Sequence, residues 1–336
     1  MRITTNAIIR DYKSNLSSSI NNLNVSRTHV MTQRRFNSVA EDPASAARAS
    51  QLHRKYYKNQ DNLKMVDTAQ ARQDGQEDSL TQISDMVKNI SKNYNIQALN
   101  GTNQTTEVRQ SFASAIRQLQ QSMVLSMNSS YEDTFLFAGS DGKNPPFELS
   151  SSGTLTYRGA DVNAAKGSAD YENLQRMSRE NLYVDLGMGL SMDNFDNVVS
   201  STAFNMSLPG INAVGYGTDE NGLSNNVITL AGKLADALES DTFNADEYGK
   251  LMNKFDSLGT NLMNQITELG VKSEFLTTTK DRLGDAEISI QEQMSGVEGI
   301  DMAEAITNYM WDQYAYNASL KVGTSILSSS FIDFMR

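Results

Sequence analysis

From Tyr248 an apolar residue returns at every seventh position, through Phe255, Leu262, Leu269, Leu276, Leu283 and Ile290 to Val297. A stripe of that length on one helix leaves water only when a second helix lies along it, so the chain must supply or recruit a long helical partner.

The positions of proline show where such a partner can form. All four lie at Pro43, Pro145, Pro146 and Pro209, which leaves residues 44–144 and 210–336 free of the strongest helix breaker. Ile9, Leu16, Leu23 and Val30 recur at seven, with Tyr12 and Ile20 beside them, and predict an N-terminal amphipathic helix ending before Gln33. Asp42-Pro43 then reads as an N-cap followed by proline at the first helical position, where its missing N–H costs nothing. The helix it opens carries Leu52, Tyr56, Leu63, Val66, Leu80, Ile83, Val87, Ile90 and Tyr94 at spacings mostly of three and four, and Asn100-Gly101 is its stop. Its expected length is roughly 80 Å. A third helix, from about Glu107 to Ser126, presents Phe112, Ile116, Leu119 and Met123 on one face.

Between 140 and 240 the character changes. Gly, Ser, Asn and Asp clusters separate short β-prone runs at 153–157, 182–186 and 204–208, which predicts a small β-rich insert. Helical patterning returns at Asn244, where Asn244 and Glu247 have the spacing of an N-cap with its N3 acid, and Asp301 with Glu304 repeats it before the last helix. That helix carries Ile306, Met310, Leu320, Leu327, Phe331 and Phe334. Gly259, Gly270 and Gly284 each weaken the long helix by about 1 kcal/mol relative to alanine, and local bends are expected there.

A chain with helices at both ends and an insert between them goes out and comes back. The expected fold is mainly α with a β-rich insert, an elongated antiparallel rod of paired N- and C-terminal helices. Its divisions are 1–40 with 301–336 as terminal helices forming an inner assembly domain, 41–139 with 241–300 as a long-helix rod domain, and 140–240 as a β-rich outer domain.

Composition narrows the function classes. The net charge is −11. Residues 1–40 hold six basic and one acidic side chain, and residues 140–244 hold six basic and fourteen acidic. An acidic chain without a basic stripe does not suit nucleic acid, whose binding rests on neutralising phosphates. No apolar run approaches the roughly 18–20 residues of a membrane span, and the N-terminus lacks the apolar stretch of a cleaved signal. Cysteine is absent, which excludes disulfides, thiolate metal sites and a cysteine nucleophile.

Motifs for chemistry are missing. His29 and His53 are the only histidines, without ligands at metal spacing, and are expected to be exposed. Gly187-Met-Gly189 opens like a dinucleotide loop, but Met192 stands where the third glycine is required. Glu77-Asp78 and Glu132-Asp133 read as solvated acids at helices or helix ends, and Trp311 as an anchor within helix packing. Most of the sixteen methionines are expected to fill helix cores. No catalytic, cofactor-binding or metal-binding residue is assigned. An enzyme hidden in 160–240 would need convergent titratable groups, and only scattered acids such as Asp170, Glu172 and Asp185 occur there.

Several pieces, taken in order, resemble the flagellin-related family of axial proteins: Met1-Arg-Ile-Thr4, Glu41-Asp42-Pro43-Ala44 and Leu99-Asn-Gly-Thr102. Another, Tyr131-Glu-Asp-Thr-Phe-Leu-Phe-Ala-Gly139 followed by Pro146-Phe147 and Leu155-Thr-Tyr-Arg-Gly159, is similar to the hook–filament junction branch rather than to flagellin proper, as is the ending Ser-Ser-Ser-Phe331-Ile-Asp-Phe334-Met-Arg. Coverage is about the first 160 and last 90 residues. Family chains often carry Ser-Gly-Lys/Arg before the acidic helix start; here Thr32-Gln-Arg-Arg-Phe-Asn-Ser38 keeps Arg and Asn and loses the Gly.

The resemblance implies terminal helices that pair and line the inner tube of a helical filament, and a structural rather than enzymatic role as the adaptor joining the flagellar hook to the filament. The alternative it implies is flagellin, the bulk subunit. Implied partners are the chain itself in a helical ring, a hook-side junction protein, flagellin, and a cytosolic export chaperone at the C-terminal helix, without cofactor, nucleic acid or membrane insertion. The implied location is extracellular, in the flagellum, reached by type III export without signal cleavage. Terminal helices with one apolar face each would order on contact with neighbours, and contacts related by a screw rotation give tubes rather than closed oligomers. The expected assembly residues are Ile9, Leu16, Ile20 and Leu23 with Leu320, Leu327, Phe331 and Phe334.

Overall fold

The structure, a computed structural model, describes residues 2–101, 105–194 and 197–332, with side chains described between residues 7 and 325. In chain order the elements are α1 (Arg2–Thr32), α2 (Pro43–Asn89), a π-helical stretch (Ile90–Asn95), α3 (Ile96–Ala98) and α4 (Thr106–Met127). Strands β1 (Ser130–Tyr131), β2 (Thr134–Phe135), β3 (Phe147–Leu149), β4 (Leu155–Tyr157) and β5 (Ala160–Asp161) follow, then α5 (Ala169–Met177), β6 (Tyr183–Val184) and β7 (Phe204–Asn205). The chain closes with α6 (Gly210–Val214), α7 (Val227–Glu239), α8 (Ala245–Glu298) and α9 (Met302–Ile332). Contacts divide it into two units, Met1–Gln60 with Gly284–Arg336, and Asp61–Leu283.

In the second unit the heptad seam finds its partner. Tyr248, Phe255, Leu262, Leu269, Leu276 and Leu283 of α8 are all buried, each worth about 1.5–3 kcal/mol of transfer free energy. On α2 the buried positions Val66, Ala69, Gln73, Gln76, Leu80, Ile83 and Val87 alternate by three and four, the spacing of a coiled-coil face. Polar contacts across the seam fix its direction. Lys280 pairs with Asp67 at 2.8 Å and the Ser273 hydroxyl donates to Asp74; further along, the Ser84 hydroxyl contacts the Met263 sulfur and the Ser91 hydroxyl donates to Asp256. Seven residues forward on α2 thus match seven back on α8, an antiparallel pair in constant register.

The gap in the apolar pattern of α2 between Val66 and Leu80 has a cause. Gln76 Nε2 donates to the Leu136 carbonyl at 2.8 Å, and the Arg72 guanidinium donates to the Thr134 hydroxyl at 3.2 Å and faces the Phe135 and Leu136 carbonyls. These polar side chains hold the β1–β2 hairpin against the helix. Burial draws the Arg72 pKa down. At the hairpin tip Glu132 and Asp133 both have positive φ, the backbone of a type I′ turn, so this acid pair lies in a hairpin and not at a helix end.

The rest of the core lies where α4 and α7 pack with the three-stranded antiparallel sheet β3–β4–β5, whose register pairs Phe147 with Tyr157 and Leu149 with Leu155. Tyr157 is fully buried and its hydroxyl donates to the Phe137 carbonyl at 2.9 Å. Arg158 binds both carboxylate oxygens of Glu180, and Glu180 also accepts from the Ser140 N–H and hydroxyl. The run 131–139 and the run 155–159, which carried the family resemblance, are therefore linked by one polar cluster. Gly210 has no side chain because a Cβ would enter the Phe147 ring.

Strands were foreseen at 153–157, 182–186 and 204–208, and β4, β6 and β7 form within them, each two or three residues long. Helix α7 was not foreseen. Its sequence begins Val-Ile-Thr, which suits a strand, but Asn226 caps it by accepting from the Thr229 N–H at 2.9 Å, and most of its residues are buried. Helix α8 is continuous through Gly259, Gly270 and Gly284.

In the first unit α1 and α9 pack along each other. Tyr12 lies against Gly323, and the Ser26 hydroxyl donates to Asp312, so this pair is antiparallel too. Asp42 caps α2 by accepting from the Ser45 N–H at 3.0 Å, and Asp301 caps α9 by accepting from the Ala303 and Glu304 N–H groups.

Candidate assembly interface

The seam between α1 and α9 mixes apolar residues, mostly on α1, with aromatic, small and polar residues on α9. On α9 the positions turned away from solvent are Met302, Ala305, Tyr309, Asp312, Tyr316, Ser319 and Gly323, spaced alternately by three and four. On α1 they are Ala7, Ile9, Tyr12, Leu16, Ser19, Leu23, Ser26, His29 and Val30 among the described side chains. Of all these only Ala305 and Gly323 are fully buried, and these two small residues let the helices approach closely. A cavity of about 480 Å³, with Val25, His29, Ala305 and Trp311 in its wall, leaves it incompletely filled.

Many other large apolar side chains are left in solvent. On α9, Met310 is 62% exposed, Trp311 67% and Tyr314 70%, and Ile306, Leu320 and Val322 are exposed as well. On α1, Ile8, Ile20, Val25 and Met31 are exposed. Patches of this kind mark surfaces that something else covers. Of the expected assembly residues, Ile9, Leu16 and Leu23 are half-buried on the α1 seam, while Ile20 and Leu320 are exposed. Leu327 and Phe331 lie on the α9 backbone with side chains outside the described residues, and Phe334 lies outside the described residues altogether. Trp311 is no packing anchor within the chain. The sequence reading missed the α9 seam because it followed large apolar residues; the three-and-four spacing of Met302, Ala305, Tyr309, Asp312, Tyr316, Ser319 and Gly323 was the available signal.

The two histidines are not free solvated groups. His29 faces Glu41 at 3.3 Å and His53 faces Glu298 at 2.6 Å, both imidazoles being half-buried. The scattered acids of 160–240 serve the backbone: Asp185 accepts from the N–H groups of Gly187, Met188 and Gly189, which explains the glycine pair there, and Asp170 accepts from the Asp161 N–H. Among the described residues no group of three or more His, Asp or Glu side chains could hold a metal ion, and no helix is long and apolar enough to cross a membrane.

Residues 3–141 match the family model for the bacterial flagellin N-terminal helical region. Solved structures of similar fold include flagellar hook-associated proteins. One, described as a flagellar hook-associated protein from Vibrio parahaemolyticus, superposes with a TM-score of 0.60 at 16% identity over 77% of this chain and 100% of that one. Flagellar hook-associated protein-3 from Legionella pneumophila gives 0.51 at 11% identity over 74% and 98%, and FlgL from Bacillus cereus gives 0.50 at 15% over 73% and 99%. At these identities the likeness is one of fold. Comparison with curated protein sequences gives no match.

Proposed function

We propose that this chain is a structural adaptor subunit of the bacterial flagellum, joining the hook to the flagellin filament. The observation that carries the reading is the set of large apolar side chains left exposed on the terminal helix pair, among them Ile20 and Met31 on α1 and Met310, Trp311, Tyr314 and Leu320 on α9. Covering one such exposed leucine or methionine contributes about 1.5–3 kcal/mol, and neighbouring subunits would supply that cover. The assembly surface comprises Ile20 and Leu320 with the rest of the expected set, Ile9, Leu16, Leu23, Leu327, Phe331 and Phe334. Residues 1–40 with 301–336 act as the inner assembly domain and 140–240 as the outer domain.

In this reading the subunit repeats in a helical ring, meeting a hook-side junction protein on one side and flagellin on the other. It works outside the cell, is exported without cleavage of a signal, meets a chaperone at the C-terminal helix beforehand, and catalyses nothing. The match to the flagellin N-terminal region supports a second reading, bulk flagellin. Copy number separates them: flagellin dominates a sheared-filament preparation, whereas a junction subunit is a trace band.

The test is Leu320→Asp. A charge on an exposed position leaves the long antiparallel pair folded by circular dichroism and blocks incorporation into flagella of a strain lacking the native gene. Normal incorporation would remove Leu320 from the interface.

A further inference from the structure

The connection between α1 and α2, residues 33–42, is long enough to let α1 swing freely, yet it is tied down at several points. The Arg35 N–H donates to the Glu298 carbonyl at 2.7 Å, and Arg34 forms an antiparallel bridge with Gly299. The Glu298 side chain divides its oxygens: Oε1 meets His53 Nε2 of α2 at 2.6 Å, and Oε2 faces the Arg34 guanidinium at 3.7 Å. A carboxylate only accepts, so His53 Nε2 is the donor. Within the connection Glu41 accepts from the Asn37 N–H at 2.8 Å and meets His29 at the end of α1. One residue at the end of α8 thus holds the start of α2, the connection, and through Gly299 the turn into α9.

Resting on the reading above, we propose that Glu298 is a positioning residue, a latch that fixes the terminal helix pair in one orientation before it enters the lattice. The two contacts of its carboxylate differ in weight. Arg34 is largely solvent-facing and its long pairing with Glu298 adds little. The His53 contact is short, and the Glu298 side chain is only 16% exposed, so the charge-assisted bond to the imidazole carries the latch. Holding an assembling element in its bound orientation lowers the ordering cost of association. Loosening the latch therefore reduces incorporation without dismantling the fold.

The experiment uses the full chain. Glu298→Ala, His53→Gln and the double variant are compared by amide hydrogen exchange and by incorporation in a strain lacking the native gene. The latch predicts that each single variant speeds exchange at Arg35 roughly ten-fold or more, that the double variant adds little to either single one, and that the amide of Leu269 in the other unit does not change. It also predicts reduced incorporation for all three. Unchanged exchange at Arg35, or independent and multiplicative effects of the two substitutions, overturns the latch, as does full incorporation. Should Glu298→Ala fail to fold, the surface-compatible His53→Gln decides by the same readings. If the unaltered gene does not restore filaments, the adaptor reading fails, while the exchange data still decide whether the latch exists.

Discussion

Gln33 shows how a single residue can depart from an expected pattern and still serve it. It stands at the end of α1 with φ of 58° and donates its N–H to the His29 carbonyl at 2.9 Å, so a left-handed cap is made without the glycine that usually makes it. The turn geometry survives the lost Gly. Since a side chain costs about 1 kcal/mol in that backbone region, Gln33→Gly should raise unfolding stability of the first unit by roughly that amount, read by urea denaturation; a loss would show that the Gln33 side chain contributes a contact. A few residues on, Glu41 and Asp42 have lowered carboxyl pKa values, the first held chiefly by the Asn37 N–H and the second chiefly by Ser45. A lowered folded-state pKa means stabilisation that is complete above the ordinary carboxyl values of 4.5 and 3.8 and is lost as pH falls through the lowered ones. Protection factors of the Asn37 and Ser45 amides should accordingly stay level from pH 7 to 5 and fall below about pH 4. A fall centred near pH 6 would contradict this account.

At the scale of elements the glycines of α8 separate propensity from packing. A Cβ at Gly270 or Gly284 meets nothing within 4 Å, whereas one at Gly259 would come within 2.9 Å of Val87 on α2. Gly270→Ala should therefore stabilise by about 1 kcal/mol, and Gly259→Ala should gain less or lose, because Val87 must give way; thermal unfolding of the two variants orders them. Equal gains would mean that the α2–α8 seam is looser than its register implies. Long helices and their caps were legible because heptad spacing, Asp42-Pro43 and the Asn244 and Asp301 caps are local signals. Helix α7 was not, because its Val-Ile-Thr start favours a strand and only the Asn226 cap and its burial decide otherwise. The role of Arg72 and Gln76 was hidden as well, since their partners are backbone carbonyls some sixty residues away.

For the whole molecule, the part of the proposed site that could be read from sequence was its location on the terminal helices, and the part that could not was which face looks outward. Large apolar residues ordinarily mark the inside of a helix pair, and Trp311 reads as a packing anchor on that basis; on α9 it faces solvent with Ile306 and Met310, and Ala305 and Gly323 make the close approach. On the proposed reading, burial of this terminal apolar surface is left to the assembly, which would couple ordering to the presence of neighbours. The direct test of the adaptor role is deletion of the gene in its source bacterium, followed by electron microscopy of the cells and analysis of flagellin in the medium. The account predicts hooks without filaments and flagellin lost as monomer, both reversed by restoring the gene. Normal flagella, or bare hooks with no released flagellin, would contradict it.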